Sequence, residues 1–78
     1  MDEDKNISNL IVTYNKIVKQ LVENRNQSKA TQDMVSSWLN VSRKKLIEFE
    51  NLKGLDIKLM CEYADIYGIE IKLNFIVT

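Results

Sequence analysis

The chain has 78 residues, eleven acidic and eleven basic side chains, a formal charge of zero, no histidine, no proline and one cysteine. A chain of this length builds one small domain near the lower limit of a self-sustaining core, and zero net charge argues against a non-specific nucleic-acid coat while leaving room for a local basic face. With no His and only Cys61, one chain can form neither an internal disulfide, a thiol-rich metal site, nor a Ser-His or Cys-His catalytic pair, so neither enzyme activity, metal nor cofactor is expected.

Met1 to Asn6 is a polar, acidic lead, expected to be disordered or frayed. It is acidic where a secretory signal is basic, and no run approaches a membrane span, so the protein is expected in the cytoplasm. From Ile7 the apolar residues Ile7, Leu10, Ile11, Tyr14, Ile17, Val18 and Leu21 keep one helical face, predicting a helix over Ile7 to Asn26. The β-branched run at Ile11 to Tyr14 is a local strand signal, but strict alternation fails there.

Asn26 to Ala30 is a polar connection, and Thr31 is the expected N-cap of a second helix, in which Val35 and Leu39 share a face. Asn40 tolerates the left-handed backbone of a sharp turn, and Val41 can plug the angle between two helices. Ser42 caps a third helix, with Leu46 and Phe49 on its inner face. Asp56 caps a fourth, for which Ile57, Met60, Cys61, Ala64 and Tyr67 give the expected buried stripe; Tyr63 is expected at its edge and Gly68 at its stop.

The first turn of the third helix reads Arg43-Lys44-Lys45. Cations there oppose the macrodipole by a few tenths of a kcal/mol, so three in a row suggest a polyanionic partner. Two short helices about a tight turn are also the layout that presents a second helix to the DNA major groove, where Arg and Lys reach guanine acceptors.

From about Leu21 to Ile69 the sequence resembles the Cro and phage-repressor helix-turn-helix family, also called the xenobiotic-response-element family. The matching residues are Arg25, Thr31-Gln32, Val41-Ser42-Arg43, Glu50-Asn51 and Gly68-Ile69. The chain departs from the family in having Asn40 for the turn glycine, Ser36 for an alanine, and Leu52 for the glycine after Glu-Asn, with Gly54 available nearby as a flexible position. The resemblance implies a mostly α, four-helix repressor-like domain with helix 42–51 in the major groove. Carried over by position, it puts Arg43, Lys44 and Glu48 at base-reading positions and Gln32, Ser42, Asn51 and Lys53 at phosphate-clamping ones. It also implies a partly buried ion pair between Arg25 and Glu50, for which two solvated charges are the alternative.

Ile69, Ile71, Leu73, Phe75 and Val77 alternate with Glu70, Lys72, Asn74 and Ile76, the pattern of a half-buried strand. A lone strand needs a ladder partner, and the same strand of a second copy, antiparallel across a two-fold axis, is the simplest one. The expected organisation is therefore a lead (1–6), a DNA-binding domain (7–68) and a dimerisation strand (69–78) carrying Ile71, Leu73, Phe75 and Val77. The implied partners are a two-fold DNA operator, a second copy and, because this layout resembles Hip-type antitoxins as well as small Cro-like phage regulators, a possible cognate toxin. Restriction-modification controllers of similar size end in helices, and the strand counts against them.

Two residues stay open at this stage. Trp38 either packs under the long first helix or meets a partner protein, and Ile47 either meets a thymine methyl or packs inward. The alternative reading of the whole chain is a protein-interaction module that keeps the scaffold without using it on DNA.

Overall fold

Four helices make up the chain in the computed structural model, which describes residues 2–71 and the side chains from residue 7 onward. They are α1 (Asp2–Gln27), α2 (Gln32–Leu39), α3 (Arg43–Glu50) and α4 (Ile57–Ile66). The all-helical layout is as expected for residues 7–68. α1 begins at Asp2, however, and takes in most of the lead expected to be frayed. The physical reason lies in the sequence Asp2-Glu3-Asp4, since carboxylates are favoured in a first helical turn.

Each later helix starts on its expected cap. Thr31 Oγ1 accepts from Met34 N at 3.1 Å, Ser42 Oγ from Lys45 N at 3.0 Å and Asp56 Oδ1 from Leu59 N at 3.0 Å. These bonds satisfy amides that the helix itself leaves free.

All four helices end in one way. Lys29, Asn40, Leu52 and Gly68 stand just past the ends with φ of 60°, 55°, 63° and 64°. Each is spanned by a pair of backbone bonds, for example Lys29 N to Asn26 O with Ala30 N to Arg25 O, and Leu52 N to Phe49 O with Lys53 N to Glu48 O. This is the Schellman arrangement, in which a left-handed residue lets the chain turn back and satisfy terminal carbonyls. Asn40 takes the left-handed turn as its residue type predicts. Leu52 takes the left-handed geometry after Glu50-Asn51 although it is not a glycine, and Gly54 adds a second positive φ of 85°.

The core is formed by Tyr14, Val18 and Leu21 of α1, Val35 and Leu39 of α2, Leu46 and Phe49 of α3, and Leu59, Met60, Tyr63 and Ala64 of α4. α1 and α2 each pack on both α3 and α4. The inner faces of α2 and α3 are the predicted ones, and so is that of α1 from Tyr14 onward, but Ile7 and Ile11 of its predicted stripe are exposed. α4 is rotated from its predicted stripe: Tyr63 is fully buried, whereas Cys61 is exposed and Ile57 stands at the surface. Residues 57, 60, 61, 64 and 67 and residues 59, 60, 63, 64 and 67 both satisfy helical spacing, so periodicity alone does not separate them. Aromatic packing favours the second set, with Tyr63 stacked on Phe49 at 5.8 Å and close to Tyr67 at 6.0 Å between ring centroids.

Among the described residues there is no strand. Ile69 and Ile71 follow Gly68 as irregular chain, half-buried against the core, so the expected strand is not found over the part of it that is described. The described residues hold no other strand to complete a ladder there. Leu73, Phe75 and Val77 lie outside the described residues.

The described chain measures 42 × 23 × 20 Å along its principal axes. A helix of 26 residues is about 39 Å long, so the long axis is that of α1. Its N-terminal turns leave Ile7 and Ile11 of the apolar stripe exposed, and Val12 is exposed on the opposite face.

Candidate nucleic-acid interface

The carboxylate of Glu50, at the end of α3, ties all four helices together. It accepts from Arg25 Nε at 2.8 Å and Nη2 at 2.9 Å, from Gln32 Nε2 at 3.0 Å and from Tyr63 Oη at 2.7 Å. Arg25 comes from α1, Gln32 from α2 and Tyr63 from α4, and Arg25 Nη1 also donates to Ala30 O at 3.1 Å, closing the α1–α2 turn. The Arg25 and Glu50 side chains are 12% and 5% exposed, so the expected ion pair is present and the reading of two solvated charges does not hold.

Burial alone would raise the Glu50 carboxyl, but hydrogen bonds from Arg25, Gln32 and Tyr63, with the Arg25 charge, hold it below the usual carboxylate range. The bond to Glu50 pushes the Arg25 guanidinium up. Burial first, and then the Glu50 carboxylate, push the Tyr63 hydroxyl well above its ordinary value. A carboxylate with four donors in a dry site fixes the relative placement of its helices more sharply than apolar contact does.

The first turn of α3 lies at the opposite end of the helix from this knot. Arg43, Lys44 and Lys45 are all exposed beside the capping hydroxyl of Ser42. Arg43 Nε stands 3.4 Å from Asp33 Oδ1 in α2, and Lys45 Nζ stands 3.8 Å from Asp56 Oδ2 before α4. Among the described residues Lys44 has no carboxylate within ion-pair distance. Glu48 and Ile47 are half-buried one turn on, so Ile47 partly packs and partly remains available. Asn51 and Lys53 are exposed beyond the far end of α3, which at eight residues is about 12 Å long.

The sequence-predicted site residues therefore divide. Ser42, Arg43 and Lys44 cluster at one end of α3, and Asn51 and Lys53 lie at the other. Gln32 is placed differently from expectation, because one amide hydrogen is already given to Glu50. An amide nitrogen carries two, so the second stays available to an outside acceptor.

Two participants were missed in the sequence. Tyr63 was set at the edge of α4, and nothing local marks a buried tyrosine as the partner of a glutamate 13 residues earlier. Asp33 drew no role, because its meeting with Arg43 depends on how α2 crosses α3. Trp38 is 54% exposed and does not pack under α1, and Met34 one turn earlier is 44% exposed.

No group of three or more His, Cys, Asp or Glu side chains able to hold a metal occurs among the described residues. No described helix is long and apolar enough to cross a membrane. A comparison with known proteins found no family model, no curated protein and no solved structure that matches this chain.

Proposed function

We propose that the chain is a sequence-specific DNA-binding transcription regulator of the Cro and phage-repressor helix-turn-helix kind. The observation that carries the reading is the first turn of α3, where Arg43, Lys44 and Lys45 stand exposed at the start of a short, well-capped helix. In this reading α3 enters the major groove, Arg43, Lys44 and Glu48 meet base edges, and Gln32, Ser42, Asn51 and Lys53 hold phosphates on either side. The Glu50 knot supports it by fixing α2 against α3, the relation that decides whether both sets of contacts form at once.

The regulator acts as a homodimer on a two-fold operator, in the manner of an autorepressor or antitoxin, with residues 69–78 pairing between copies. Exposed Ile7 and Ile11 on the N-terminal turns of α1 support a second subunit, since they continue the apolar stripe of the core. The test is equilibrium binding to random and selected duplexes over a range of salt. Binding through several phosphates weakens steeply with salt, and Arg43→Ala or Lys44→Ala removes discrimination, at about 1 to 3 kcal/mol per good base contact, while the fold stays intact. Gln32→Ala and Lys53→Ala weaken binding to all sequences alike. Salt-independent binding, or unchanged selectivity in the α3 variants, refutes the assignment.

Trp38 and Met34, one turn apart and exposed on α2, favour a second reading, a module that binds a partner protein, such as a cognate toxin, through this apolar pair. Contact through that surface is nearly independent of salt.

A further inference from the structure

The triple cation run is less charged than its sequence suggests. Two of its three members already face carboxylates from neighbouring elements, Arg43 facing Asp33 at 3.4 Å and Lys45 facing Asp56 at 3.8 Å. Both pairs are solvent-exposed: the side-chain exposures are 62% and 71% for the first and 56% and 39% for the second. Such pairs are weak and exchange readily for another anion. They come from opposite sides of α3, one from the first turn of α2 and one from the loop before α4, so the run is flanked by acid on both sides. Asp56 is held in place independently, because its Oδ1 caps α4 while Oδ2 faces Lys45.

We propose that Asp33 is a specificity determinant of the α3 interface, occupying the base-reading cation Arg43 in the free protein, while Asp56 holds Lys45 in a pair that a phosphate of any duplex replaces alike. The inference rests on the DNA-binding reading above. On a random duplex the base edges do not match, so binding chiefly exchanges a carboxylate for a phosphate and gains little at Arg43. A cognate duplex adds base-edge acceptors, which a carboxylate does not replace, and the exchange then favours binding. The arrangement raises the ratio of specific to random affinity by holding down the second, and it suits a chain with no net charge.

The experiment uses the full chain, a random duplex and a duplex enriched by in vitro selection, with fluorescence anisotropy at several salt concentrations. Asp33→Asn and Asp56→Asn remove charge and keep shape. Asn serves as an N-cap as well as Asp, so α4 keeps its start, and thermal unfolding of each variant checks this. Each variant is expected to bind the random duplex about two- to fivefold more tightly, the range of an exposed ion pair; Asp33→Asn gains less on the selected duplex, so the ratio falls, whereas Asp56→Asn tightens both duplexes alike. The double variant is expected to show roughly the product of the two effects. In an Arg43→Ala background, Asp33→Asn loses most of its effect, and in a Lys44→Ala background it keeps it. A ratio unchanged in Asp33→Asn overturns the inference alone. An Asp33→Asn effect of equal size with and without Arg43 also overturns it, by showing general charge repulsion in place of a specific pair. If the unaltered chain binds no duplex in a salt-dependent way, the DNA-binding reading falls and takes the inference with it.

Discussion

Replacing Glu50 by Ala removes the α3 carboxylate to which the other three helices donate, and the structure allows the consequence to be worked out. The Arg25 side chain, 12% exposed, loses two bonds from its guanidinium and keeps only the one to Ala30 O. An unpaired cation in so dry a place costs about 3 to 5 kcal/mol when its partner is truncated. A domain of this size has roughly 4 to 12 kcal/mol of total stability, so Glu50→Ala is expected to remove a large share of it and to lower the urea midpoint steeply. Tyr63→Phe is the graded companion. It removes one hydrogen bond to a charged group, worth about 1.5 to 3 kcal/mol, and leaves Glu50 with Arg25 and Gln32. Urea unfolding followed by helical circular dichroism measures both, and a Glu50→Ala loss below about 1 kcal/mol would refute the buried-pair account.

The same knot sets a pH dependence. The folded pKa of Glu50 lies below its unfolded value, so its contribution is fully present above the ordinary carboxylate range and is lost as pH falls through the folded pKa. The folded pKa of Tyr63 lies above its unfolded value, so its contribution is present below about pH 10 and is lost as pH rises towards the folded pKa. Unfolding midpoints across pH should therefore fall at both ends. In Tyr63→Phe the alkaline fall should shrink while the acid one remains.

Lys29 sits at φ 60° with an exposed side chain, so Lys29→Gly should stabilise the chain by about 0.5 to 1 kcal/mol, read as a higher urea midpoint. Leu52→Gly should gain less or nothing, because Leu52 is partly buried against the core and gives up that packing. Trp38 is the one tryptophan, and its fluorescence should be red-shifted and open to iodide quenching in the free protein; a shielded, blue-shifted spectrum would contradict its exposure. Deleting residues 70–78 should give a destabilised monomer that binds a half-site weakly, and sedimentation showing that the truncated chain still dimerises would remove the strand from the dimer proposal.

Capping and turn chemistry were legible in the sequence because they are local. Thr31, Ser42 and Asp56 each bond an amide three residues on, Asn40 and Gly68 supply left-handed backbone by residue type, and Val35, Leu39, Leu46 and Phe49 mark inner faces by spacing alone. The Arg25–Glu50 pair came through resemblance, since nothing in the spacing of residues 25 and 50 makes them meet. Tertiary structure decided what remained. It set the rotation of α4, burying Tyr63 and exposing Cys61, where two helical registers were equally periodic. It showed that Leu52 bears a left-handed strain its residue type disfavours, held by the two backbone bonds that span it. It turned Gln32 towards Glu50, left Trp38 uncovered, and put Asp33 and Asp56 beside the cations of α3. Each of these depends on distances between residues far apart in the chain, and hydrophobic periodicity records which side of a helix is buried without recording what it is buried against.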